Sequence, residues 1–237
     1  MHPKIQSMAK KDDKTEDRIV AVEHALSSTE QFFEKNKKII TIVLGAIIVI
    51  VGAYIGYKKL YIGPKEIEAQ KQMFMAERYF EQDSLKKAIN GDGNYLGFAD
   101  IADQYGMTKS GNLAHYYLGM CYLKTGQFQQ AIDNLEDFSS DDLIVGAMAK
   151  GAIGDAYCEL GDMDKAAEFY MKAADYNEND YSTPLFLMKA GWVYEEQKKY
   201  DDALKAYERV QKEHVRSYEF REIEKYIARA KGLSGKK

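Results

Sequence analysis

The pattern of apolar positions divides the chain into two parts of different kinds. From Ile39 to Tyr57 almost every position is apolar and none is charged, and these 19 residues would span ~28 Å as a helix. That length matches the roughly 30 Å hydrocarbon core of a bilayer. The pattern therefore predicts one transmembrane helix over 39–57. A cleaved signal peptide fits less well, because 38 residues precede the segment and charged, bulky residues follow it.

The residues on either side of this predicted helix indicate further features but do not decide its orientation in the membrane. Residues 1–15, which are rich in Lys and Asp, are predicted to form a disordered tail. Residues 17–36 are predicted to form a short juxtamembrane helix. Gly52 and Gly56 form a GxxxG pair, which would allow a second transmembrane helix, such as that of a homodimer partner, to approach closely. Positive charge does not decide the topology, since three lysines stand on each side: Lys35, Lys37 and Lys38 before the helix, Lys58, Lys59 and Lys65 after it.

After Pro64 a motif recurs three times, at 118–135, 153–170 and 190–207. Each copy has a glycine, a tyrosine three residues later and an alanine twelve residues later: Gly119, Tyr122 and Ala131; Gly154, Tyr157 and Ala166; Gly191, Tyr194 and Ala203. The pattern resembles the tetratricopeptide repeat, a helix-turn-helix unit of about 34 residues. In such a unit the small residue lets the paired helix approach, and the alanine seats that second helix.

The repeats predict an all-α chain in which the transmembrane helix is followed by a right-handed tetratricopeptide-repeat solenoid. The expected divisions are 1–38 for the tail and juxtamembrane helix, 39–57 for the span, 58–65 for a linker and 66–237 for the repeat domain. Full repeats are expected at about 112–145, 147–180 and 184–217, with irregular helices before and after. Gly126 and Gly161 fit the C′ position between the helices of a repeat, whereas Lys198 predicts that the third turn departs from the pattern.

The inner helices of a repeat solenoid line its concave face, which is where a ligand would bind. The residues assigned there form an apolar strip with an acidic middle, suited to an extended or partly folded polypeptide. Tyr116 and Trp192 are the expected anchors. The alternative is that some of these residues pack against a neighbouring terminal helix. The predicted groove residues are Leu113, Tyr116, Met120, Leu123, Asp155, Glu159, Met188, Trp192 and Glu195.

Composition and motifs argue against catalysis, a cofactor and nucleic acid. The net charge of -4 supplies no positive field for nucleic acid. The four histidines show no metal-ligand spacing, and the Asn90–Asn94 stretch lacks the acidic run of a calcium loop. Cys121 and Cys158 are expected to be buried thiols, because adjacent packed helices hold them too far apart for a disulfide. We therefore predict no metal site, no cofactor and no enzyme activity.

A short phrase before the apolar segment carries a more specific resemblance. Val22-Glu23, Phe32-Phe33, Asn36 and Lys38 resemble the type V-(E)-x-x-x-x-F-F-x-x-N-x-K, with eight residues here between Glu23 and Phe32, and lead directly into the predicted membrane helix. This order of parts resembles the ancillary Sec-translocon subunit family of Gram-negative bacteria. The chain departs from that family in its longer charged tail and its Tyr-rich repeats.

The resemblance implies a single-pass inner-membrane protein with a cytoplasmic N-terminus and periplasmic repeats. It also implies protein partners, namely the Sec translocon, periplasmic chaperones or exported polypeptides, and a non-catalytic scaffold or chaperone-like role in export. An envelope-assembly or cell-division adaptor of the same repeat superfamily is the alternative. Residues 60–237 carry 23 basic and 30 acidic groups, so the repeat region is not expected to be attracted to anionic lipid.

Overall fold

The computed structural model describes residues 34–235 and divides the chain into two compact units, one ending at Tyr61 and one beginning at Ile62. The described residues form helices joined by turns and loops, with no strand among them, which confirms the predicted all-α class. The predicted tail, most of the juxtamembrane helix and the phrase at 22–33 lie outside the described residues.

The described part of the first unit contains helix α1 (34–57), which is followed by a π-helical turn, Lys58–Ile62. Within 34–235, one helix, Glu34–Glu81, is long and apolar enough to cross a membrane by length and composition. The apolar part of this helix is not buried by the rest of the described structure. Tyr57 stacks on Tyr61 with ring centroids 5.4 Å apart, and the ammonium of Lys58 lies over the Tyr54 ring. The predicted linker 58–65 is therefore helical.

The second unit is a series of helices joined by short turns. The helices are α2 (Gly63–Glu81), α3 (Leu85–Asn90), α4 (Phe98–Tyr105), α5 (Lys109–Lys124), α6 (Phe128–Asp137), α7 (Val145–Glu159), α8 (Met163–Asp175), α9 (Ser182–Glu196), α10 (Tyr200–Glu213) and α11 (Ile223–Ser234). A 3-10 turn, Glu219–Glu222, precedes α11. The hairpins α5–α6, α7–α8 and α9–α10 hold the three copies of the motif.

Each hairpin closes where the motif places its small residues. Ala131, Ala166 and Ala203 are fully buried in the second helices. A Cβ added at the motif glycine would strike the residue sixteen positions later on the partner helix: Leu135 for Gly119, Tyr170 for Gly154 and Tyr207 for Gly191. The structure confirms that the glycine allows the close approach of the paired helix.

The turns between first and second helices share one geometry, including the turn that the sequence predicted to differ. Gly126 and Gly161 have φ of 77° and 80°, and Lys198 adopts the same left-handed conformation with φ of 59°. The amide of Lys198 donates to Glu195 and the amide of Lys199 to Tyr194, the bond pair of a Schellman motif. The prediction for the third turn is therefore wrong, because backbone hydrogen bonds hold this conformation without a glycine.

The buried side chains form three clusters along the repeats, and these clusters mix aromatic residues with alanine. Phe98 stacks on Tyr117 at the N-terminal end, with ring centroids 5.0 Å apart. Tyr170 and Tyr207 are buried at the C-terminal end, where Tyr207 also contacts Tyr226 of α11. The motif tyrosines Tyr122, Tyr157 and Tyr194 are partly buried against these clusters, and the terminal helix α11 closes the C-terminal one.

Candidate protein-binding groove

Three open clefts run along the face formed by the first helices of the hairpins. The first, about 420 Å³, lies between α2 and α5; the second, about 520 Å³, lies among α5, α7 and α9; the third, about 490 Å³, lies among α7, α9 and α11. We call this row of clefts the groove. Because consecutive first helices are neighbours in a repeat solenoid, a single extended chain can contact all three clefts.

The first cleft is the most apolar at its surface. Phe74 of α2 is 61% exposed, and Leu113 of α5 and Met73 form the cleft with it. Glu77 lies at the same place, and burial, followed by repulsion from Glu81, raises the pKa of its carboxyl. The cleft thus offers an exposed aromatic ring beside a carboxylate that a cationic ligand would stabilise.

The second cleft contains a hydrogen-bonded group of polar side chains. The Lys189 ammonium lies 2.6 Å from Asp155, whose same carboxylate accepts a 2.6 Å bond from the hydroxyl of Tyr170. Burial, and then the bond to Asp155, raise the pKa of the Tyr170 hydroxyl, so it remains a donor. Asp155 is thereby neutralised by Lys189, and the cleft also contains Glu159 and Lys124, whose ammonium lies 3.2 Å from Asp83.

The third cleft contains the single tryptophan of the chain. Trp192 is 43% exposed and lies 6.2 Å, centroid to centroid, from Tyr226 of α11. Glu195 is bound by Arg229 at 2.6 Å, and Arg229 also lies over the Tyr226 ring. Helix α11 therefore forms one wall of the cleft and leaves part of the indole exposed. Glu196 adds a carboxylate for which no ion pair is found in the described range.

The structure brings six of the nine predicted groove residues to these clefts: Leu113, Leu123, Asp155, Glu159, Trp192 and Glu195. Tyr116 and Met120 instead pack in the core between the first and second repeats, where Tyr116 contacts Phe138 at 5.2 Å. Met188 is 4% exposed and belongs to the C-terminal core. The groove prediction is wrong for Met188, because its side chain points into the packed layer between α9 and its neighbours.

Sequence reasoning missed the residues that complete the clefts from other elements. Phe74 and Tyr226 lie on α2 and α11, outside the three motif copies, so no repeat position marked them. Lys189 was visible as a lone base, but its pairing with Asp155 joins positions 34 residues apart. A search for opposite charges one repeat apart would have found it, as it would Arg229 and Glu195.

The groove is lined by apolar, aromatic and charged side chains. Among residues 34–235, no group of three or more His, Cys, Asp or Glu side chains could hold a metal ion. Both cysteines are free, and burial raises the pKa of Cys121 to about 12 and also raises that of Cys158. A thiol with a raised pKa is a poor nucleophile.

Comparison with known proteins agrees with this geometry. Residues 118–180 and 152–214 match the tetratricopeptide repeat family model. Two crystal structures of a Podosopora anserina protein, described as a kinesin light chain with nearly identical TPR-like repeats, have a similar fold. The chain is 17% identical to one and 15% identical to a point variant of it, each with a TM-score of 0.51, covering 71% of this chain and 87% of that one. Among curated proteins, no significant match was found.

The chain therefore carries tetratricopeptide repeats in a TPR-like solenoid fold, as the sequence predicted. Tetratricopeptide repeats are in general non-catalytic modules for protein–protein interaction. The repeat region is thus a protein-interaction scaffold.

Proposed function

We propose that this protein is a membrane-anchored, non-catalytic scaffold whose groove binds an extended stretch of another polypeptide. The observation that carries the proposal is the half-exposed Trp192 beside Tyr226 in a cleft that shares Cys158 with the second cleft. A large aromatic side chain with a free face in a cleft is a typical anchor for a partner side chain. Tetratricopeptide repeats matched over these same elements support protein as the ligand class.

The charge of the groove favours a polypeptide with apolar and basic side chains. Two of the predicted acidic positions, Asp155 and Glu195, are neutralised by Lys189 and Arg229. Glu159 and Glu196 remain exposed on the second and third clefts, and Glu77 lies on the first. Basic residues spaced along an extended ligand would pair with these carboxylates while its apolar residues contact Phe74, Leu113 and Trp192.

The anchor is α1, which we propose crosses the membrane once. Its apolar side chains are exposed along its length, for example Ile42 and Ile48 at 70% each, and a bilayer would cover them. Lys58 and the tyrosines Tyr54, Tyr57 and Tyr61 at its end suit the interfacial region.

The cellular place of the scaffold follows from the resemblance of 22–38 to the Sec-translocon subunit family. That resemblance supports an inner-membrane protein with its N-terminus in the cytoplasm and its repeats in the periplasm. The polypeptides bound would then be exported chains, the translocon itself or periplasmic chaperones.

Photocrosslinking in cells tests this function. A photoreactive amino acid at Trp192 should capture translocon subunits, chaperones or exported chains, identified by mass spectrometry. The control places the same amino acid at Glu168, an exposed position on the second-helix layer. Capture of none of these proteins from Trp192, or equal capture from Glu168, would contradict the proposal. Capture of cell-division proteins with localisation at the septum would favour the adaptor alternative.

A further inference from the structure

Four exposed apolar side chains recur along one edge of the repeat unit. Met107, Ile144, Tyr181 and Tyr218 follow one another at intervals of 37 residues. Their exposed fractions are 55%, 43%, 68% and 77%. Each lies where the chain leaves one hairpin and enters the first helix of the next. We call this set the apolar row; Leu143 and Val215 add two more exposed side chains beside it.

Helix stability does not account for the apolar row. Ile144, Tyr181 and Tyr218 occupy the N-cap positions of α7, α9 and the 3-10 turn, and their side chains make no capping hydrogen bond. Ser, Thr, Asp or Asn at an N-cap stabilises a helix, whereas large apolar residues do not. Met107 directly precedes Thr108, which does cap α5. Helix capping therefore does not explain why apolar residues occupy these positions.

Hydrogen bonds between successive connections show that these positions share one continuous edge. Glu66, in the first turn of α2, accepts bonds from Lys109 and Ser110 at the start of α5. Next along the edge, Asn112 and Ser139 exchange hydrogen bonds, and the Tyr176 hydroxyl donates to the carbonyl of Ser140. His214 and Asp180 lie 3.0 Å apart in the last connection.

The first helix of the repeat unit begins on this same edge. Since Glu66 contacts the start of α5, the start of α2 at Gly63 lies beside it. Only five residues, Lys58–Ile62, separate α2 from the end of the apolar segment at Tyr57. Even fully extended, five residues reach at most about 18 Å. The first helix of the repeat unit is therefore joined to the proposed anchor by a tether of at most that length.

The opposite edge differs in character. There the first helices end, and their C-cap residues are Gln82, Thr125, Leu160 and Gln197. One of the four, Leu160, is an exposed apolar residue. An apolar residue at every connection is thus a property of the edge that carries the apolar row.

We propose that the apolar row docks on the lipid interface of the membrane that holds α1. Tyrosine and aliphatic side chains are the types that partition into the headgroup region. The repeat region carries 23 basic and 30 acidic residues from 60 to 237, so apolar insertion holds the edge to the membrane and attraction to anionic lipid does not. The inference rests on the proposed membrane anchor and is independent of the groove ligand.

Depth-dependent fluorescence quenching tests this docking in the full chain. Trp192→Phe removes the single tryptophan, and Tyr181→Trp, Tyr218→Trp or Leu160→Trp then places one reporter on either edge. Each variant is reconstituted in phosphatidylcholine vesicles, with or without bromine atoms on the upper acyl chain, and vesicle flotation verifies insertion. We expect about twofold quenching by brominated lipid for Tyr181→Trp and Tyr218→Trp, and none for Leu160→Trp.

The outcomes separate the two levels of the proposal. Flotation with quenching of the row reporters alone supports docking on lipid. Flotation with no more quenching at Tyr181→Trp and Tyr218→Trp than at Leu160→Trp overturns docking while leaving the anchor intact. Failure to float with vesicles overturns the anchor and the docking together. Replacing half of the lipid with phosphatidylglycerol should not increase quenching, and an increase would contradict apolar insertion as its cause.

Discussion

Single residues in the repeats are constrained by how closely the helices of a hairpin approach. Gly191 is the clearest case, since a Cβ there would meet the ring of Tyr207, a fully buried side chain with no room to move. We expect Gly191→Ala to lower the free energy of unfolding by about 1–3 kcal/mol through overpacking. Urea denaturation followed by circular dichroism measures this change.

The matched control is Gly232→Ala in α11, where a Cβ would meet nothing within 4 Å. Because alanine has the higher helix propensity, this substitution should stabilise the protein by about 0.5 kcal/mol. Equal effects at the two glycines would contradict the close-approach explanation.

Glu66 is a second residue whose role the structure makes testable, through pH. Burial raises the pKa of its carboxyl. Hydrogen bonds from Ser110, Gln70 and the Lys109 amide together lower that pKa by more than burial raises it, so the net pKa lies below the ordinary 4.5. The stabilisation is therefore complete above the unfolded-state value and is lost as the pH falls through the folded-state pKa.

We expect Glu66→Gln to destabilise the protein by about 1.5 kcal/mol at pH 7, with the difference from wild type shrinking below about pH 4.5. Stability measured at both pH values checks this. Glu136→Gln, at an exposed position on α6, is the control and should have little effect at either pH. A Glu66→Gln effect that is constant with pH would show that the charge of the carboxylate is unimportant.

At the scale of elements, the hairpin turns show which parts of the fold the sequence predicts. Glycine at 126 and 161 marked the first two turns, and both adopt the left-handed conformation. Lys198 and Asp83 adopt it as well, with φ of 59° and 55°, and the Asp83 turn closes α2 on α3 with the same bond pair. The Asp83 turn could not be predicted from the sequence, because backbone hydrogen bonds define it and no particular side chain is required there.

The third turn therefore contains a residue that is not optimal for its backbone. A left-handed conformation costs a residue with a Cβ about 1–2 kcal/mol, and part of this is offset by the greater freedom of glycine in the unfolded chain. We expect Lys198→Gly to stabilise the protein by about 0.5 kcal/mol and the reverse change, Gly161→Lys, to destabilise it by about 1 kcal/mol. Thermal unfolding of both variants measures the two stability changes. Changes of the same sign would contradict the claim that the left-handed conformation is costly for Lys198.

The residues of the candidate site also separate into those that the sequence could predict and those that it could not. Leu113, Asp155, Glu159 and Trp192 could be placed on the groove because their positions repeat with the motif. Met188 could not be distinguished from them, since a helix in a solenoid contacts neighbours on three sides and periodicity alone does not reveal which side stays open. Lys189 with Asp155, and Phe74 of α2, depend on contacts between elements distant in sequence.

At the scale of the whole molecule, the carboxylates of the groove predict a charge preference. We expect Glu196→Lys to weaken binding of a basic, apolar polypeptide about threefold to fivefold, because it reverses an exposed charge in the third cleft. The control Glu168→Lys makes the same change of net charge on the outer layer. Isothermal titration in low salt compares the two, and equal losses of affinity would place binding outside the groove.

The proposed topology makes a further prediction at this scale. If the repeats are periplasmic, protease added to spheroplasts should digest the chain after residue 62 while leaving a fragment that contains α1. Protection of the repeats until the membrane is permeabilised would place them in the cytoplasm and remove the translocon proposal, while leaving the groove as a protein-binding surface.

The central claim is that the groove binds extended polypeptide, and Trp192 reports on it directly as the only tryptophan of the chain. The full chain in lipid nanodiscs is titrated with a Trp-free unfolded polypeptide rich in aliphatic and basic residues, and tryptophan emission is recorded. We predict a saturable blue shift for the wild type and no shift for the double variant Trp192→Phe with Glu168→Trp, whose reporter lies on the outer layer. Unchanged Trp192 emission at polypeptide concentrations that saturate binding, or the same shift from the outer-layer reporter, would contradict the account.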